Sequence, residues 1–175
     1  LLLLTWALAH WPGIFQAQKQ NQLICYHVPK ASVLDLVQGR AVLTFSSTDS
    51  IRESMAAQNH RYHLLLKTSR KLEWGSRLRW GHQVLAQENL LIWRKHRIGI
   101  WDGNVAVRVP DKCDFLLLRN NPWVHPEDLP PNLKLIVVDG SNRFGTIRWM
   151  KKLAQEKGIP IHDTGEQGAW ILPGQ

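Results

Sequence analysis

The sequence predicts an α/β layered domain, and three observations carry that prediction. The first third reads as consecutive β-prone segments, the middle contains a hairpin pattern, and the last third alternates apolar strand-like runs with an amphipathic helix. The length of 175 residues suits one domain with at most a short appendage. A hydrophobic content of 44% excludes a disordered or fibrous chain. Two cysteines, Cys25 and Cys113, exclude a disulfide-rich scaffold and a Cys-rich zinc module, and two buried free thiols are expected, with one bridge between them as the alternative.

The start is apolar over its first nine residues, whereas a membrane-spanning helix needs about twenty. With no basic segment before it, the stretch is a poor signal peptide. Residues 1–13 therefore read as the end of a membrane-spanning helix, touching the membrane through residues 1–12. Trp6 and Trp11 serve as interfacial anchors and Pro12-Gly13 as the stop. A short buried helix of the domain is the alternative. Residues 14–22 form a polar linker, and 23–175 form the domain.

Within that domain, Leu23 to Val28 is a strand ended by Pro29-Lys30. Ser32 to Val37 and Arg40 to Phe45 are two more, joined at Gln38-Gly39. Ser50 and Glu53 have capping-box spacing, which opens a helix over about 50–59 with Ile51 and Met55 on one face. Residues 60–82 give no clear pattern. From Gln83 to Asp102 two strands are expected around Arg94-Lys95-His96-Arg97, with a two-residue turn at Lys95-His96 placing Trp93 opposite Ile98.

Cys113 to Leu118 and Leu133 to Val138 are unbroken apolar runs, as strands covered on both faces require. His125 to Leu129 reads as one helical turn between them. Gly145 to Lys157 is an amphipathic helix with Ile147, Met150, Leu153 and Ala154 inward and Gly158 as its C′ residue. Strands at Ile159–His162 and Ala169–Leu172 close the chain.

The net charge of +8 is unevenly placed. Residues 52–112 carry twelve basic against five acidic side chains, while residues 113–175 carry seven of each. A middle third at +7 favours a polyanionic partner, nucleic acid or acidic lipid, over a merely solvated basic surface.

Catalytic signatures are sparse. His60 and His63 have i, i+3 spacing without an accompanying Glu, Asp or Cys, which is weak as a metal motif. Neither cysteine has neighbours that would lower its pKa, and the Gly-x-Ser-x-Gly and Walker patterns are absent. The most site-like segments are Asp139-Gly140-Ser141-Asn142 and Asn120-Asn121-Pro122, each at the carboxyl end of an apolar strand. The competing reading is a strand-to-helix turn with Ser141 or Asn142 near the helix start. No residue is assigned as catalytic and none as a metal ligand.

Three stretches resemble a known family. They are Asp114-Phe115-Leu116-Leu117-Leu118-Arg119-Asn120-Asn121-Pro122, Leu135-Ile136-Val137-Val138-Asp139-Gly140-Ser141-Asn142-Arg143-Phe144-Gly145, and Gly158-Ile159-Pro160-Ile161-His162 through Gly168-Ala169-Trp170-Ile171-Leu172. Together they are similar to the end of ComEC-type competence proteins, channels that take up single-stranded DNA. The match is specific over 113–172 and looser over 23–45, where Asp35-Leu36-Val37-Gln38-Gly39-Arg40 echoes the family's Asp-Val-Gly-Gln-Gly-Asp.

The resemblance implies a metallo-β-lactamase-like layered sandwich, here degenerate and reduced. It also implies an inner-membrane parent channel with this domain on the periplasmic side. The family's His-His pair falls on Asn120-Asn121, and its Gly-His-Pro on Gly145-Thr146-Ile147. Asp102 stands near its bridging Asp. Amides are poor ligands for Zn²⁺ or Mn²⁺, so Asp102, Asn120, Asn121, Asp139, Ser141 and Asn142 are expected to mark a degenerate site holding no cofactor. The expected function is non-catalytic contact with single-stranded DNA through Arg77, Arg79, Trp80, Trp93, Arg94, Lys95 and Arg97, beside the channel's own transmembrane part. The alternatives are a residual metallohydrolase using Asp102, Asp139, His60 and His63, and a structural docking domain.

Overall fold

The structure is a computed structural model that describes residues 17–48, 50–67, 69–105 and 109–174. The expected membrane segment at 1–13 lies outside the described residues. Ala17 to Lys19 make a short helical turn, and the Gln20 side-chain amide donates to Gly39 O and Leu64 O. The first strand begins at Asn21, inside the segment read as linker.

The strands are β1 (Asn21–Val28), β2 (Ala31–Gln38), β3 (Ala41–Ser46), β4 (Ser69–Leu72), β5 (Leu78–Trp80), β6 (Val84–Gln87), β7 (Leu90–Trp93), β8 (His96–Asp102), β9 (Phe115–Arg119), β10 (Leu135–Val138), β11 (Ile161–Asp163) and β12 (Trp170–Pro173). The helices are α1 (Ser50–His63), α2 (Phe144–Lys157) and α3 (Thr164–Gln167). Five strands form one sheet in the order β12-β1-β2-β3-β4, and seven form a second in the order β11-β10-β9-β8-β7-β6-β5. Strands β8 to β11 are mutually parallel, so their carboxyl ends share one edge of the second sheet.

Strand alternation decides which residues fill which layer. Leu23, Cys25, Leu34, Leu36 and Phe45 face the second sheet, where they meet Leu91, Trp93, Ile98, Ile100 and Leu117. The residues between them on β1 to β3, such as Ile24, Tyr26 and Val33, turn the other way, toward Ala57 of α1. On the second sheet Leu116, Leu118, Ile136 and Val138 turn outward onto Met150, Leu153 and Ala154 of α2. Two sheets back to back with a helix against each outer face make a mixed α/β sandwich.

Several expectations need correction. The β7–β8 turn is Arg94-Lys95, with Arg94 at φ 55°, so Trp93 pairs with His96 and Leu91 with Ile98. That register is two residues from the predicted one. Helix α1 runs on to His63, with Ala57 buried and Met55 exposed. The side chains of Ser50, Ile51 and Glu53 lie outside those described. The unassigned stretch 60–82 contains β4 and β5. His125 begins a hydrogen-bonded turn rather than a helix, through Asp128 N–H to His125 O at 3.0 Å. Both cysteines are free and buried.

Asp35, part of the looser family echo, belongs to the outer face of the first sheet. Its carboxylate is fully buried and accepts from Arg61 Nε and Nη2 at 2.7 Å each and from Thr44 Oγ1 at 2.7 Å. This fork pins α1 to β2 and β3. Breaking one partner of such a buried pair costs about 3–5 kcal/mol. Arg61→Met is therefore expected to lower unfolding free energy by about 3 kcal/mol in urea titrations. A loss below about 1 kcal/mol would make the fork a surface pair in energetic terms.

Candidate functional site at the carboxyl ends of the parallel strands

The inward-facing rows of β8, β9 and β10 pass from apolar core residues to charged ones where the strands end. Ile100 is followed two residues on by Asp102, Leu117 by Arg119, and Val137 by Asp139. Asp102 pairs in register with Arg119, and Asp139 N–H donates to Leu118 O at 3.3 Å. The result is an Asp–Arg–Asp row across three parallel strands, at the edge where open α/β sheets place ligands.

Arg119 is the centre of this row and was not among the sequence candidates. Its side chain is only 4% exposed, and Nη1 donates to Asp102 Oδ2. The guanidinium carbon lies 4.2 Å from the ring centroid of Trp74, which covers it as a cation–π lid. Trp74 is anchored by Nε1–H to Ser32 O at 3.4 Å and packs against Phe45 with ring centroids 5.5 Å apart. Two signals pointed to Arg119: period-2 alternation from Phe115 through Leu117 aims it inward, and it ends a fully buried strand.

The degenerate-site candidates are brought together around this row. Asp102 Oδ1 accepts from Asn120 Nδ2 at 2.9 Å and from Asn104 N–H at 2.9 Å. Asn120 N–H donates to Ser141 Oγ at 2.7 Å, and Asn121 N–H to Asn142 Oδ1 at 2.9 Å. Asp139 Oδ1 accepts from Ser141 N–H at 3.0 Å, Ser141 Oγ at 2.5 Å and Asn142 Nδ2 at 3.1 Å. Ser141 and Asn142 lie in the turn from β10 to α2, near the helix start. The N-cap of α2 is Arg143, with no side-chain capping bond, and its N–H donates to Asn121 Oδ1 at 2.5 Å. Two glycines let the loops close: a Cβ on Gly140 would meet Val28 O at 2.3 Å, and one on Gly103 would meet Asn120 O at 2.0 Å.

Burial dominates the electrostatics. It pushes the Asp139 carboxyl above the ordinary aspartate range, while bonds from Ser141 and the charge of Arg119 work the other way. Ser32 also favours the carboxylate through its proximity, yet Ser32 Oγ and Asp139 Oδ2 do not reach hydrogen-bond geometry and both remain unpartnered. Burial raises the Cys25 thiol well above its usual value, reinforced by Asp139, so this cysteine is inert as a nucleophile. Burial also lowers the Arg119 pKa from arginine's normal value, against the pull of Asp102 and Asp139. Arginine nevertheless stays charged in proteins.

The divalent ions that the resemblance associates with active relatives do not fit these residues. Asp102 spends one oxygen on Arg119 and the other on Asn120 and Asn104, and only Oδ2 of Asp139 is unpartnered. An added cation would also sit against the buried guanidinium and be repelled by it. His60 and His63 do not join the row. His60 bonds Tyr26 Oη at 3.1 Å on the α1 side of the first sheet, opposite the face of Cys25, and His63 is exposed. A cavity of about 220 Å³ opens beside the row, lined by Trp74, Asn89, Ile100, Asp102, Val105 and Arg119.

Residues 23–173 match the family model described as the ComEC C-terminal domain. The chain belongs to the ComEC C-terminal domain family. No curated protein matches it. Membership ties this ComEC-type domain to competence DNA uptake and to a membrane-associated family. Among its described residues no helix is long and apolar enough to cross a membrane.

The proposed nucleic-acid contacts of the ComEC-type domain fall apart into separate places. Trp93 is fully buried between the sheets, so no base can stack on it. Trp80 is half-buried against the same core. Arg77 pairs with Glu88 at 2.5 Å, and Arg94 is half-buried with its Nε unpartnered. Arg79 and Arg97 are exposed on the outer face of the second sheet. They end one transverse row, Arg79–Leu85–Ile92–Arg97, with exposed Lys95 at the nearby turn. The start of β8 carries that turn, while the end of β8 carries Asp102, so turn and polar row lie at opposite ends of the strand.

Asp139 gives a pH test. A carboxyl raised above its unfolded value of about 3.9 makes the folded state bind more protons, so stability falls as pH rises through the window between the two values. Asp139→Asn keeps the accepting Oδ1 and removes that titration. Urea titrations from pH 4 to 8 are expected to show wild type losing stability relative to Asp139→Asn as pH rises. Parallel curves would contradict the assignment.

Proposed function

We propose that this chain is the non-catalytic C-terminal domain of an inner-membrane DNA-uptake channel, lying on the periplasmic side and contacting incoming single-stranded DNA. Its frame is a reduced metallo-β-lactamase-like sandwich. The observation that carries the reading is the Asp102–Arg119–Asp139 row. There a buried guanidinium takes up a carboxylate at the strand ends where such a frame would hold metal ions, and amides stand around it. A site that supplies its own cation has structural work for the carboxylates and no open coordination position of the kind metal hydrolysis needs.

Support for DNA contact comes from the exposed outer face of β5 to β7 and the start of β8. Arg79 and Arg97 flank Leu85 and Ile92 there, and Lys95 adds a third exposed cation. Such a face suits a phosphate backbone running across the strands.

Two measurements test the reading. Oligonucleotide binding should weaken steeply with salt, and an Arg79→Ala, Lys95→Ala, Arg97→Ala triple variant should reduce the log–log salt slope by about 2, as loss of three single-strand phosphate contacts requires. Absent binding at low salt, or an unchanged slope, would sink DNA contact by this face. Purified protein given Mn²⁺ or Zn²⁺ should retain no stoichiometric metal and cleave no DNA. Stoichiometric metal with cleavage abolished by Asp102→Ala would establish the residual hydrolase instead.

A further inference from the structure

We infer that the domain carries a second, aromatic site for single-stranded nucleic acid, built where the loop after β9 meets the outer side of α2. This inference rests on the DNA-contact reading above and names a surface that reading does not use.

The loop alternates sharply in burial. Pro122 and Val124 are buried, while Trp123 between them is 73% exposed. A large apolar ring held out between two anchored neighbours is presented rigidly, unlike a side chain on a free loop tip. The ring lies parallel to that of Trp149 on α2, with an interplanar angle of 4° and centroids 6.3 Å apart. Its Nε1–H donates to His125 Nε2 at 3.1 Å, and Trp149 Nε1–H donates to Val124 O at 3.4 Å. Asn121 Oδ1 accepts from Arg143 N–H and from Thr146 Oγ1 at 3.3 Å, which ties loop to helix. Both tryptophans are thereby fixed relative to each other before any ligand arrives.

Cations complete the surface. Phe144, 78% exposed, Arg148 and Lys152 follow one another at i, i+4 along α2, and Trp149 borders that row. Arg143 and Arg148 are exposed and have no ion pair among the described residues. Aromatic rings beside unpaired arginines match a ligand with flat π-faces and a phosphate backbone. Aliphatic side chains, which a lipid-inserting face would add, are absent from this set. The family's part in DNA uptake supplies the same class of ligand. Sequence reading placed the stacking residues in the basic middle third, whereas this surface lies in the charge-neutral last third. The charge count alone passes over it.

The test uses the whole chain and labelled oligo-dT of about 15 nucleotides. Trp123→Ala, at an exposed position, is expected to weaken binding about 5- to 100-fold without altering the salt slope, as loss of base stacking does. Arg148→Ala is expected to lower the slope by about 0.7, as loss of one phosphate contact does. If wild type binds and Trp123→Ala binds equally well, the aromatic site is wrong while DNA contact survives. If wild type does not bind at low salt, the DNA reading itself falls. If Trp123→Ala loses binding to anionic phospholipid vesicles and keeps oligo-dT binding, the surface is a membrane contact and the inference is overturned.

Discussion

One buried cation organises the end of this domain. Arg119 sits under Trp74 and bonds Asp102, while Asp139 completes the row and is held by Ser141 and Asn142. Buried charges persist only when paired and hydrogen-bonded. The loops after β8, β9 and β10 supply that pairing: Asn104 and Asn120 on Asp102, and Ser141 and Asn142 on Asp139. The residues that open these three loops are thus positioned by one Asp–Arg–Asp row. The close approach of Gly103 to Asn120 lies in the same loops.

The rest of the architecture delivers those residues to one place. Two sheets bury a shared apolar layer, α1 and α2 cover their backs, and parallel strands bring three carboxyl ends to one edge. A second buried fork, Arg61 on Asp35, does for α1 what the polar row does for the loops. The two charge clusters lie on opposite faces of the first sheet.

Much of this was legible in the sequence because burial leaves a periodic trace. The strands near 23–45 and 113–138, helix α2 and its Gly158 cap, at φ 66°, follow from apolar period and turn residues. The polar residues at the ends of β9 and β10 were legible as strand-end candidates, and the structure gathers them. What was not legible depended on partners distant in sequence. Arg119 reads as an ordinary strand-end cation until Asp102 and Trp74 are placed beside it. The hairpin register turned on Arg94 adopting positive φ, which no apolar pattern encodes. Trp93 looked like a stacking platform because it lies among cations, but alternation with Leu91 sends it into the core. Trp123 was passed over because its exposure follows from Pro122 and Val124 being anchored.

Arg119 is the cation on which the interior ion cluster depends. The most direct measurement is the pH dependence of unfolding free energy for Arg119→Met, which keeps an apolar stem and removes the charge. Without the guanidinium, Asp102 loses its ion pair and the buried Asp139 carboxylate loses the charge that favours its ionised form, so the variant should be short of wild type by about 3 kcal/mol or more at pH 7. That gap should narrow as pH falls toward 4 and Asp139 protonates. A gap that is absent, or that stays constant from pH 4 to 7, would contradict the claim.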